Sequence, residues 1–327
     1  MRIILALWIV LACIAVDARE EAGIKTPLDR ALIKHYEQMF EALGVAPKPK
    51  AEIPQTLHFV WLGPRPFPEA SVARVRHWIE QHPGWKVKFW TDYAHPLPDT
   101  RMEKVAIEQF PLGEMTEFYY ASDNFGERSM LLRYAILESE GGVYIDHDAD
   151  CLKTIEPVRG SYDFFCGLET PGPTVLSTSV YPSPHVIGAT VGHPILKASL
   201  NWLKGHWHAL EASYAGTDEM AVMTRVMHRS VRALAEGVAG AWCLEGRKDA
   251  VLAPAFFSSK NPRAALYAVH EHAGKWHQRS SEAELRITGK IQALESDLKW
   301  NLGLVLLLAL FQLAGLILLW KKRRRSA

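Results

Sequence analysis

Short apolar runs alternate along the chain with longer stretches whose apolar positions recur every three to four residues. "TPLDRALIKHYEQMFEALG" (26–44) has the second pattern and predicts an amphipathic helix closed by Gly44. After a proline- and lysine-rich linker, "TLHFVWLG" (56–63) predicts a buried strand and "WKVKFWTD" (85–92) a second one. Between them "SVARVRHWIEQHPG" (71–84) predicts a helix capped by Ser71 and stopped by Pro83-Gly84. "SMLLRYAILESEGG" (129–142) reads as a helix ended by glycine, and "VYIDHDAD" (143–150) as the strand after it. "YDFFCGLE" (162–169) follows as a strand, then helices over 193–205 and 218–237 and an extended segment over 250–259. Strands alternating with helices predict an α/β fold with a mostly parallel central sheet.

The two ends depart from this pattern. Residues 1–18 hold Arg2, an apolar run and small residues before Ala18, the layout of a signal peptide, with an uncleaved anchor as the alternative. Leu302 to Trp320 carries no charge and is followed at once by Lys321 to Arg325, which predicts a transmembrane helix with a cytosolic tail. The expected organisation is therefore a signal or anchor (1–18), a helix and linker (19–50) and a globular domain (51–280). A juxtamembrane helix (281–301), a membrane span (302–320) and a basic tail (321–327) follow. The expected topology is a membrane-anchored protein whose domain faces the lumen or the outside.

Charge changes the picture little. The net charge is +1, and the five basic residues of the tail leave 1 − 5 = −4 elsewhere, so no basic surface argues for nucleic acid. Cys13 lies in the leader, leaving Cys151, Cys166 and Cys243, which allow one disulfide or three thiols.

The chemistry lies in "EGGVYIDHDAD" (140–150). Asp146, Asp148 and Asp150 follow a buried strand, and packed carboxylates repel unless a positive group offsets them. At the carboxyl end of a parallel strand such residues face the ligand crevice. Residues two apart on an extended segment share a face, so Asp146 and Asp148 would converge. Hard oxygen ligands suit Mn²⁺ or Mg²⁺, and a diphosphate leaving group needs such a cation. A solvated acidic turn is the plain alternative for three such letters. Gly141-Gly142 would let backbone approach a ligand, and Arg133 lies on the preceding helix.

"LLRYAILESEGGVYIDHDADCL" resembles the D-x-D block of the retaining glycosyltransferases related to yeast Golgi mannosyltransferases and inositol-phosphoceramide mannosyltransferases, with clostridial glucosylating toxins as more distant relatives. "IPQTLHFVWLG", "VKFWTD", "VGHPIL" and "YAVHEHAGKW" resemble further family segments in the same order, so the likeness covers about residues 53 to 277. The resemblance implies a GT-A-like nucleotide-sugar-binding fold and a metal-dependent hexosyl transfer from a GDP- or UDP-sugar to a lipid-linked or glycan acceptor. Mannosyl transfer to inositol-phosphoceramide is its narrowest form.

It also implies site roles. Trp61 would stack on the base, with His58 and Val60 in the pocket floor, and Asp123 would supply a carboxylate to the donor. Arg133 and Asp146 would contact the donor sugar or diphosphate and act in catalysis. Asp146, Asp148, His270 and Glu271 would hold the metal, and Trp276 would cover the leaving phosphate. Against these, Trp61 and Tyr144 also read as core, His270 as part of a solvated loop with His272 and His277, Asp150 as a cap and His193 as a local hydrogen-bonding residue. The family carries an aspartate three residues before the arginine and a serine before the tryptophan, where this chain has Met130 and Lys275. Those departures motivate a second reading, an inactive sugar-nucleotide-binding membrane subunit. A metal-dependent phosphohydrolase is the third.

Overall fold

The computed structural model describes residues 26–45, 49, 52–172, 174–259 and 261–271. The expected leader, the juxtamembrane and membrane helices, the basic tail, Lys275 and Trp276 all lie outside the described residues. Among the described residues no helix is long and apolar enough to cross a membrane.

The chain opens with helix α1 (Pro27–Ala42), then β1 (Thr56–Val60), α2 (Glu69–Gln81), β2 (Lys86–Thr91) and β3 (Glu103–Ala106). Next come α3 (Thr116–Ala121), α4 (Phe125–Glu140), β4 (Gly142–Ile145), β5 (Ala149–Cys151), α5 (Glu156–Arg159), β6 (Phe164–Leu168) and β7 (Pro182–Ala189). Helices α6 (Pro194–Ser213), α7 (Glu219–Met227) and α8 (Ala233–Ala241) precede β8 (Asp249–Leu252) and β9 (Ala268–His270).

Seven strands form one sheet in the order β3-β2-β1-β4-β7-β6-β8, and β5 pairs with β9 in a second, small sheet. Strands β1, β2, β3 and β4 run parallel, as do β6 and β8, while β7 is antiparallel to both its neighbours. The sheet is mostly parallel, as expected, with β7 as its one reversed strand among the described residues. Each central strand divides its side chains between two cores. Leu57, Phe59, Val143 and Ile145 enter one, with Trp78 and Phe165, whereas Val60, Tyr144 and Ile187 enter the other, with Leu132 and Ile136 of α4. Cover on both faces explains why β4 is buried at every position.

Local chemistry corrects several expectations. Helix α2 starts at Glu69 after Pro68, so Ser71 lies inside it and its hydroxyl is 2.8 Å from His147 Nδ1 instead of capping. Asn124 caps α4, accepting from Glu127 N, and sets its start four residues before the expected one. The helix expected over 218–237 is two, α7 and α8, joined by a π-helical turn at His228–Arg232. Gly141 and Gly142 have φ of +64° and +97°, and a Cβ on Gly142 would lie 2.7 Å from His58 Nε2. These glycines permit the tight α4–β4 turn over the neighbouring strand, and the close approach they allow is to protein, not to a ligand. Cys151, Cys166 and Cys243 are free thiols.

Helix α1 is tied down by a buried carboxylate. Asp29 completes a capping box with Thr26, and its Oδ1 accepts from Thr178 Oγ1 at 2.7 Å and Ser179 N at 3.0 Å. Burial would raise its pKa, but these donors outweigh burial and hold the carboxyl well below its usual range. A depressed folded-state pKa adds stability that is present above the unfolded value near 4 and lost as pH falls below it. Asp29→Asn is expected to cost about 1.5–3 kcal/mol at pH 7, the usual contribution of hydrogen bonds to a charged group. The deficit should shrink in acid, and urea unfolding at pH 7 and pH 3 would expose a pH-independent deficit as the contrary result.

Candidate active site

The strand expected over 143–150 stops at its aspartates. β4 ends at Ile145, Asp146 N–H donates to His185 O at 2.8 Å, and Ala149 N–H closes a turn on Asp146 O at 3.1 Å. β5 then leaves the main sheet and pairs antiparallel with β9, setting Ala149 opposite His270. Trp78 of α2 donates to Ala149 O at 2.9 Å, and Glu271 N–H donates to Asp148 O at 3.2 Å. The turn is therefore held from both sides, and a residue more than a hundred positions away is delivered to it.

Asp146, Asp148 and His270 come together there, with one potential ligand atom from each lying within 4.8 Å of the others. His270 Nε2 is 3.2 Å from Asp148 Oδ1 and 3.6 Å from Asp146 Oδ2. The other oxygen of Asp146 accepts from Arg133 Nη2 at 2.9 Å and from the Tyr144 hydroxyl at 2.6 Å. Arg133, 2% exposed, also donates to Pro184 O, and its guanidinium lies 4.1 Å from the centre of the Tyr144 ring. Ser129, one helical turn before Arg133, is hydrogen-bonded to the Tyr144 hydroxyl.

The charges explain how the carboxylates tolerate one another. Burial pushes Asp146 up, but Arg133 and His270 outweigh burial and hold it at about 2. Burial would lower His270, yet its two carboxylate neighbours push it up to about 10. Two cations thus balance two carboxylates. The donor set fits a divalent cation: two hard carboxylates and one imidazole converge, a combination compatible with Mn²⁺ as well as Mg²⁺. Such a cation would displace the His270 proton and leave the cluster net positive.

The other expected site residues fall into three groups. Glu271 flanks the cluster but is exposed, and its carboxylate lies 3.7 Å from Arg74. Trp61 and Val60 stand at the same end of the sheet. Trp61 is half-buried, donates to Arg65 O at 2.7 Å and meets the His147 ring edge-on at 4.9 Å, while Val60 is core. His58 is not brought to the cluster. Fully buried, it accepts from Trp90 Nε1 at 3.1 Å, faces Gly141 O at 2.9 Å, and burial lowers its pKa to about 3. Asp123 is exposed in the connection before α4, and Met130 is half-buried on that helix. Asp150 is no cap, since it pairs with His77 at 2.8 Å. His193 behaves as a local residue: it caps α6 and bonds the buried Asp249 at 3.0 Å.

The sequence reading missed His185, whose ring stacks on His270 at 4.1 Å. It also missed the hydroxyl role of Tyr144 beneath its core burial. A polar residue at every second position of "YID" was the one available signal for the latter.

Residues 68–165 match the glycosyltransferase sugar-binding region containing DXD motif. The chain is 28% identical over 146 residues to inositol phosphoceramide mannosyltransferase 3 of Schizosaccharomyces pombe, covering 45% of this chain and 36% of the relative. It is 27% identical over 117 residues to the subversion of eukaryotic traffic protein A of Legionella pneumophila, covering 31% of this chain and 18% of that protein. The chain thus spans well under half the length of these relatives. Among solved structures, the PaToxG glycosyltransferase aligns with a TM-score of 0.47 at 15% identity, over 68% of this chain and 80% of that one. The UDP-bound glycosyltransferase domain of the YGT toxin aligns with a TM-score of 0.44 at 10% identity, over 67% and 83%. The segment 68–165, which carries Arg133, Asp146 and Asp148, is thus similar to DXD-containing glycosyltransferase sugar-binding regions.

Proposed function

We propose that the protein is a metal-dependent retaining glycosyltransferase that moves a hexose from a GDP- or UDP-sugar to a lipid-linked or glycan acceptor. The observation that carries this reading is the convergence of Asp146, Asp148 and His270 beside Arg133, within a DXD segment. Asp148 and His270, with Oδ2 of Asp146, would hold Mn²⁺ or Mg²⁺, which when bound supplies Lewis-acid stabilisation of the departing diphosphate. Arg133 is fixed by Asp146 and Pro184 O and adds positive charge on the same side. Among the described residues no second carboxylate is placed as a nucleophile, so the acceptor hydroxyl would attack from the face the diphosphate leaves, with retention.

The apolar segment 302–320 and the basic residues after it support a single membrane span with the domain in the Golgi or endoplasmic reticulum lumen. A site whose last strand precedes that span by a short stretch of chain favours a membrane lipid acceptor. Similarity to an inositol phosphoceramide mannosyltransferase makes mannose on an inositol-phosphoceramide the first pair to try. Met130 supports one competing reading, an inactive subunit that only binds nucleotide sugar.

The test uses the full chain in mild detergent with Mn²⁺ and a panel of GDP- and UDP-sugars, following nucleoside diphosphate release with and without glycolipid acceptors. Release from one donor, stimulated by one acceptor and abolished by chelation, is the expected result. Mn²⁺-dependent nucleotide binding without turnover for any donor would establish the binding subunit instead. Phosphate release from simple phosphate esters would establish a phosphohydrolase.

A further inference from the structure

The Asp146–Asp148–His270 cluster takes its imidazole from β9, a strand of three residues paired only with β5 among the described residues. So small a sheet fixes the backbone of His270 but leaves the tilt of its ring to whatever packs against it. His185 is what packs there. The two imidazoles lie face to face, with centroids 4.1 Å apart and planes 12° from parallel.

His185 is itself held from every side. It sits on β7, in the main sheet, and is 3% exposed. Its Nδ1 is hydrogen-bonded to Ser183 Oγ, and Ser183 donates onward to Glu169 Oε2 at 3.0 Å. Its Nε2 faces Phe257 O at 3.2 Å and Ser258 Oγ at 3.1 Å. Its backbone carbonyl accepts from Asp146 N–H at 2.8 Å. One residue of the rigid sheet therefore anchors Asp146 through its main chain and lies flat against His270 through its ring.

We propose that His185 is a positioning residue for the metal site: its locked ring sets the plane of His270 and aims Nε2 at the two aspartates. This rests on the metal-binding part of the function proposed above. His185 is not one of the converging ligands, and its contribution passes through His270. The stack does the orienting, so an aromatic ring of similar size should replace it, whereas a polar side chain that keeps only the hydrogen bonds should not.

Two substitutions separate these features. His185→Gln keeps polar contact with Ser183 or Ser258 and removes the ring face. His185→Phe keeps the face and removes the ring nitrogens, and both serines retain their own acceptors, Glu169 and Leu168 O. Mn²⁺ binding to the full chain is measured by electron paramagnetic resonance of free Mn²⁺, with near-ultraviolet circular dichroism to confirm folding. His185→Gln is expected to weaken Mn²⁺ about 10-fold or more, the lower end of what loss of an outer partner of a metal-bound histidine costs. His185→Phe should stay within about 3-fold of the unaltered protein, well short of that loss. Equal affinities for all three proteins would overturn the inference, as would a His185→Phe loss as large as that of His185→Gln. An unaltered chain that binds no Mn²⁺ would overturn the metal reading beneath it, a separate outcome read from the first titration.

Discussion

Asp148→Asn is expected to lower nucleoside diphosphate release from the preferred donor by roughly 10³-fold, with Mn²⁺ binding lost in parallel. Asp148 is 4% exposed, 3.2 Å from His270 Nε2, and its backbone carbonyl accepts the Glu271 amide, so its side chain has little freedom to seek another role. Asparagine preserves shape and the backbone bond but removes one negative charge from the site proposed to hold a dication. The effect should be kinetic, not structural. The variant ought to unfold near the same temperature as the metal-free parent, since the lost attraction to His270 is offset by reduced repulsion from Asp146. Turnover within about 10-fold of the parent would mean that Asp148 carries too little of the several kcal/mol expected of a metal ligand for this reading to stand.

Arg133→Leu should have the largest effect on stability. Removing one partner of a buried ion pair leaves a carboxylate desolvated and costs about 3–5 kcal/mol. At about 2–4 °C per kcal/mol for a domain of this size, the melting temperature should fall on the order of 10 °C. The pH dependence gives a sharper check in metal-free protein. Arg133 helps hold Asp146 at about 2, below the unfolded carboxylate value near 4. This stabilisation is complete above the unfolded value and is lost as pH falls through about 2. The gap between parent and Arg133→Leu should therefore be full at pH 7 and narrow at pH 3. A gap of the same size at both values would assign the loss to packing against Tyr144 and not to the Asp146 pair. Arg133→Lys keeps the charge but cannot bond Asp146 and Pro184 O together, so it should recover only part of the stability.

Much of this site could be read from the chain, because its chemistry lies in one continuous block. Arg133 lies on a helix, and Asp146 and Asp148 follow a strand in a turn, an order fixed by local pattern. What could not be read was the outcome of competition between neighbours. The strand pattern of "VYIDHDAD" favoured one extended segment, and nothing local indicates that β9 draws Ala149–Cys151 away from the main sheet. β7 escaped notice because Pro182 and Pro184 argue against a central strand. Its pairing with β4 covers only Gly142 to Ile145 against Val186 to Ala189, beyond both prolines. His58 looked like a ligand contact because it sits in the motif strand. Its ring is turned into the sheet by Trp90 and Gly141, a choice that depends on two other strands. His185 had no signal, since a histidine among small and apolar residues resembles a satisfied core residue until its neighbour across the site is known.

The pairing of β5 with β9 also orders events during synthesis. Asp146 and Asp148 leave the ribosome long before Ala268–His270, and the seven-stranded sheet can be completed by β8 while the imidazole is still missing. Contacts between such distant segments pay their loop-closure cost late in folding. The nascent domain would thus acquire its shape before its full ligand set, and a chain halted before β9 would present the two carboxylates without the histidine. Emergence of β9 then becomes the step that completes the cluster.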